Sequence, residues 1–158
     1  MNISYEEKKS KILSLIKKAQ EIEPSDFFMG GVEEERILNL ERTLDVNLSE
    51  SYKWFLREFG HGGIGGVEIL GDIPGEVCTC VRDTIELRKH GLPLSHVVIE
   101  NVDEYYMCLD TYRMDRGECP VVDWDFRGES YMVYKNFLDY TIDKFENQLD
   151  DIEYQNEC

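Results

Sequence analysis

Residues 48–71 read LSESYKWFLREFGHGGIGGVEILG, a short amphipathic helix, a glycine-rich bend and a strand. Ser49 stands where a helix cap is wanted. Tyr52, Phe55, Leu56 and Phe59 follow at i, i+3, i+4 and i+7, one face of a helix. Gly60 supplies the positive φ that ends such a helix. Gly62, Gly63, Gly65 and Gly66 open backbone conformations closed to other residues. Val67, Ile69 and Leu70 then begin a strand. A helix this short is unstable alone, so it needs the following sheet to bury its aromatic face. Each buried side chain contributes roughly 1.5–3 kcal/mol.

Upstream, Ser4 and Glu7 have capping-box spacing, and Ile12, Leu15, Ile16 and Ala19 make an apolar face, predicting a helix to about Ile22. Glu23-Pro24-Ser25-Asp26 ends it. A second helix is expected over 32–44, with Ile37, Leu40 and Leu44 inward. Glu33, Glu34 and Glu35 lie in its first turn, where the helix dipole favours acids. Downstream, a helix is expected over 79–90, with Val81, Ile85 and Arg88 on one side. Short strands are expected over 97–100, 105–110, 120–124 and 131–134, the first two forming a hairpin. Asn136 caps a last helix whose inward face is Leu138, Ile142, Phe145 and Leu149. Acids crowd its end, so fraying and disorder are expected beyond about Tyr154. Helices, then consecutive strands, then a helix imply an α+β fold. It should hold a mainly antiparallel sheet of about four to six strands, flanked by N-terminal, central and C-terminal helices.

The chain of 158 residues suits one domain: 1–29 as helix and linker, 30–150 as the core, and 151–158 as an acidic tail. Its 33 acids against 17 bases give a net charge of −16. That disfavours nucleic acid, phosphate-rich ligands and anionic membranes, and suits a basic protein partner. No stretch is long or apolar enough to span a membrane, and the N-terminus lacks a secretory h-region, so a cytoplasmic location is expected. The odd count of five cysteines fits the same compartment.

Chemistry-bearing motifs are weak. Gly60-His61-Gly62-Gly63-Ile64-Gly65 matches Gly-x-Gly-x-x-Gly, but the helix precedes it and the strand follows, the reverse of a dinucleotide site. Cys78-Thr79-Cys80 lacks zinc-knuckle spacing, while Cys108 and Cys119 read as small core residues in strands. Asp123-Trp124-Asp125-Phe126-Arg127-Gly128 starts like a calcium loop, but Arg127 stands in the fifth position and Tyr134 in the twelfth. His61, His90 and His96 have no catalytic partner at a recognisable spacing. No metal, cofactor or catalytic residue is expected.

What remains is surface. From Asn101 onward there are fifteen acids and five bases, so the charge concentrates in the sheet-and-tail half. Acids and aromatics interleave there, as aromatic anchors within a charged rim do at protein interfaces. Asp103, Glu104, Tyr105, Asp123, Trp124, Asp125 and Glu129 are therefore the candidate partner-binding residues. Core positions on alternating strands are the competing reading for Trp124 and the tyrosines.

Leu48, Tyr52-Lys53-Trp54-Phe55-Leu56, Phe59-Gly60, Gly62-Gly63 and the strand after them resemble the SUKH superfamily of bacterial immunity proteins, which includes fungal cell-wall assembly regulators. Ser49 stands where that pattern usually has proline; both suit a helix start. The segments 97–103, 106–111 and 117–125 resemble the family's strand block, most of all in YobK-type antitoxins of bacilli. The resemblance spans roughly residues 30–150, outside the first helix. It implies an immunity protein that neutralises a cognate toxin, the basic nuclease domain of an LXG-type exported protein, without turnover and without direct contact to nucleic acid or membrane. A monomer or weak homodimer is expected. The alternatives are a non-catalytic regulatory or scaffold module, and an enzyme acting on a small substrate from a deep polar pocket.

Overall fold

The computed structural model describes residues 3–25 and 27–157. Helix α1 spans Tyr5–Ile22, and the Ser4 hydroxyl accepts from the Glu7 N–H at 3.1 Å. Its buried face is Ile12, Leu15, Ile16 and Ala19, as the spacing predicts. Helix α2, Glu34–Leu44, begins two residues later than expected, with Glu33 at its cap. Asp45, at φ 56°, ends it in the left-handed region. Helix α3, Glu50–Glu58, buries Tyr52, Phe55 and Leu56, and Phe59 closes it half-buried.

The strand expected at 67–71 does not join the sheet. Gly62 pairs singly with Ile69 and with Phe28, and no ladder follows. The segment's main-chain groups are engaged one at a time. The Tyr52 hydroxyl donates to Leu70 O at 2.6 Å, Leu70 N to Ile99 O at 2.8 Å and Asp72 N to Gly60 O at 2.8 Å. Such scattered partners hold an irregular strap rather than a strand. Gly60, at φ +71°, sits where a Cβ would lie 2.1 Å from Gly30 O.

Helix α4 spans Thr79–Arg88. Its buried face is Thr79, Cys80, Thr84 and Leu87, one step round from the expected side, and Ile85 is exposed. The sheet has four strands: β1 (His96–Asn101), β2 (Tyr106–Asp110), β3 (Val121–Trp124) and β4 (Ser130–Tyr134). Their order is β1-β2-β3-β4, antiparallel throughout. Cys108 is buried in β2, whereas Cys119 is buried just before β3, not within it.

Helix α5, Phe137–Glu157, packs along α1. The Asn136 side chain accepts from Asp139 N at 2.9 Å, as a cap does. Contrary to the expected fraying, the helix persists to Glu157, because Ile152 is buried and anchors its last turns. Phe137 reaches the centre of the core, its ring 5.3 Å from Tyr52 and 5.7 Å from Phe55. Such aromatic pairs add about 0.5–1.5 kcal/mol each beyond area burial.

Candidate protein-binding surface

The sheet register gathers the candidate residues. Asn101 pairs with Tyr106, Tyr106 with Trp124, and Trp124 with Ser130. The β1–β2 turn and the β3–β4 turn therefore project from one end of the sheet. Asn101 Oδ1 accepts from Asp103 N at 2.8 Å, and Asp103 takes φ 69°, which closes the first turn. Asp125 Oδ1 accepts from Arg127 N at 2.8 Å in the second.

Two depressions result. A shallow cleft of about 390 Å³ is lined by Glu104, Tyr105, Asp125, Phe126 and Arg127. A pit of about 50 Å³ beside it is lined by Tyr105, Asp123, Trp124, Asp125, Arg127, Glu129 and Tyr131. Six of the seven candidates thus converge. Asp103 stands on the first turn outside both depressions.

Their roles divide. Trp124 is 1% exposed, so it is core rather than a contact; its ring packs against Phe126 at 5.5 Å and Tyr106 at 6.3 Å. Asp125 forms an ion pair with Arg127 at 2.7 Å, and the guanidinium holds its carboxyl below the usual aspartate value. That pair contributes little net field. Asp123 accepts from Tyr131 N at 3.0 Å, and Glu129 from the Tyr131 hydroxyl at 3.3 Å. Asp103, Glu104 and Glu129 are exposed.

Two exposed aromatics of these acid-and-aromatic segments stand outside the seven candidates: Phe126 and Tyr131, each 61% exposed. Phe126 lies two residues past Trp124, but β3 ends at Trp124, so strand alternation no longer applies. Tyr131 is exposed because β4 is the last strand of the sheet.

Elsewhere, polar groups are engaged in structure. Asp123 and Asp125 of the calcium-like segment are occupied by Tyr131 N–H and Arg127. His61 Nδ1 lies 2.9 Å from Thr79 Oγ1 and its Nε2 3.2 Å from Glu68. The Cys78 and Cys80 sulfurs lie 3.7 Å apart as free thiols, and burial pushes the Cys80 thiol up. Among the described residues, no group of three His, Cys, Asp or Glu side chains could hold a metal, and no helix is long and apolar enough to cross a membrane.

A family model described as SUKH_5, SMI1-KNR4 cell-wall, matches residues 12–146. The chain belongs to the SUKH family. The match begins inside α1, so the first helix, expected to lie outside the family region, is largely part of it. This family is generally non-catalytic, and its members are commonly immunity proteins. The SUKH chain also resembles a solved structure described as a protein from Pseudomonas syringae pv. tomato. The two share 20% identity over 75% of this chain and 89% of the other, with a TM-score of 0.56. That likeness concerns the fold.

Proposed function

We propose that this SUKH chain is an immunity protein. It binds a cognate toxin domain, a basic nuclease carried on an LXG-type exported protein as in the YobK-like branch, and blocks it by covering its nucleic-acid groove. The observation that carries this reading is the convergence of acidic and aromatic residues on two adjacent turns at one sheet end. A nuclease needs a basic groove to hold a polyanion. An acidic surface competes for that groove and is steered to it, raising the association rate about 10- to 1,000-fold at low salt.

The test is co-expression with the C-terminal domain encoded by the neighbouring gene, scoring growth rescue and co-purification, with association rates measured across salt. Asp103→Lys, Glu104→Lys and Glu129→Lys together should slow association at least about tenfold at low salt and flatten its salt dependence. Rescue and rate both unchanged would refute this surface as the interface. The family description's reference to the cell wall supports a second reading, a non-catalytic regulatory or scaffold module. Under it, the chain would co-purify with a resident host protein and give no protection against a toxin.

A further inference from the structure

The two edges of the sheet are finished differently. At β1, Val98 N donates to Thr84 Oγ1 at 2.9 Å, Ile99 O accepts from Leu70 N at 2.8 Å, and α4 covers the strand. At β4, nothing among the described residues pairs the outer edge, and Tyr131, Met132 and Val133 are 61%, 55% and 47% exposed. An open edge is a template for another strand, and proteins usually blunt it with proline, lysine or a bulge. Here a bulge lies near Val133, where the register with β3 slips, and Lys135 follows the strand. Those devices close the far end and leave Ser130–Met132 in plain register with Trp124, Asp123 and Val122.

Charge selects the occupant. Glu129 precedes the strand, Asp123 lies beneath Tyr131, and Asp143 accepts from the Tyr134 hydroxyl at 2.5 Å. The nearby cations are mostly spent: Arg127 is tied to Asp125 and Lys144 to Glu100 at 3.3 Å. A second copy would bring another chain of net charge −16 against the same edge. A cationic strand meets complementary charge instead.

We infer that β4 is a strand-addition site for an extended, lysine- or arginine-bearing segment of a partner protein, paired along Ser130–Met132 beside the acidic turns. Pleat alternation defines the segment. Ser130 and Met132 share a face with Trp124 and Val122, so the added strand places an apolar residue beside Met132. Tyr131 shares the Asp123 face, so a cation belongs there. The inference rests on the proposed basic partner and adds how it is held: main-chain hydrogen bonds supply affinity and alternate side chains supply specificity.

The test uses the full chain with two probes: a nine-residue peptide alternating lysine and valine, and the same peptide N-methylated at alternate residues. Hydrogen exchange is followed residue by residue. The unmodified peptide should slow exchange in β4 at least about tenfold, the N-methylated one should not, and Met132→Lys should abolish the protection. Equal binding of both peptides without β4 protection would overturn strand addition while leaving the acidic-surface reading intact. No binding of either peptide would also overturn it. Concentration-dependent protection of β4 in the chain alone would assign the edge to a second copy and overturn the cationic occupant. Growth rescue by co-expression tests the immunity reading separately, so the two can fail independently.

Discussion

Replacing Arg36 by alanine should be among the most damaging single changes to stability, and the reason is an asymmetry in one ion pair. Arg36 Nε and Nη2 donate to the two Asp72 oxygens, both at 2.6 Å. Nη2 also donates to Ile73 O at 3.3 Å and Glu76 O at 3.1 Å, so one guanidinium ties α2 to the strap before α4. The Asp72 side chain is 4% exposed, whereas that of Arg36 is 38% exposed. Arg36→Ala leaves a buried carboxylate without its counter-charge, a loss of about 3–5 kcal/mol. Asp72→Asn leaves a guanidinium that still reaches water, so the loss is that of charged hydrogen bonds, about 1.5–3 kcal/mol. With a urea slope of about 2 kcal/mol per molar, Arg36→Ala should lower the midpoint by about 2 M. Urea titrations followed by tryptophan fluorescence and by circular dichroism measure both variants, and the double variant completes the cycle. Arg36→Ala costing under about 1 kcal/mol, or no more than Asp72→Asn, would refute the buried-charge reasoning.

Gly60→Ala should cost clearly more than Gly128→Ala. Both glycines have positive φ, +71° and +81°, but a Cβ at Gly60 would also lie 2.1 Å from Gly30 O and 2.6 Å from Asp72 O, while Gly128 faces open space. Gly128→Ala should lose about 1–2 kcal/mol, and equal thermal shifts for the two would refute the packing argument. Glu118→Gln tests a pH dependence. The Glu118 carboxylate accepts from Ser51 N at 3.0 Å and from the Ser51 hydroxyl, but burial outweighs those bonds and raises its pKa above 4.5. The folded chain therefore favours the protonated acid. That contribution is complete below pH 4.5 and lost as pH rises through the raised folded value. Glu118→Gln removes the titration, so its stability relative to the natural chain should improve as pH rises above 4.5; a constant difference in urea midpoints would contradict this.

The helices and the sheet hairpins were legible because their signals are local. Ser4, Ser49 and Asn136 cap helices from the chain's own next turn. Short runs of apolar and aromatic residues between polar turns located all four strands of the sheet to within one residue. Apolar content alone could not tell the strap at 67–71 from a strand, because what separates them is whether a neighbour offers a continuous ladder. Likewise, Val81 and Ile85 had the spacing of a helix face, but β1 packs against the turn carrying Thr84 and Leu87.

The candidate surface shows the same division. Composition along the chain, without coordinates, determined that the segment after Asn101 is strongly acidic and rich in aromatics, and the SUKH pattern was readable in residues 48–71 and, more specifically, in the strand segments 97–103, 106–111 and 117–125. Only the tertiary structure decided that two turns meet at one sheet end, that Trp124 forms their floor, that Arg127 neutralises Asp125, and that Tyr131 lies on an open edge. The reason is physical: a charge count is a property of the chain, whereas exposure and pairing depend on which residues distant in sequence the strand register brings side by side.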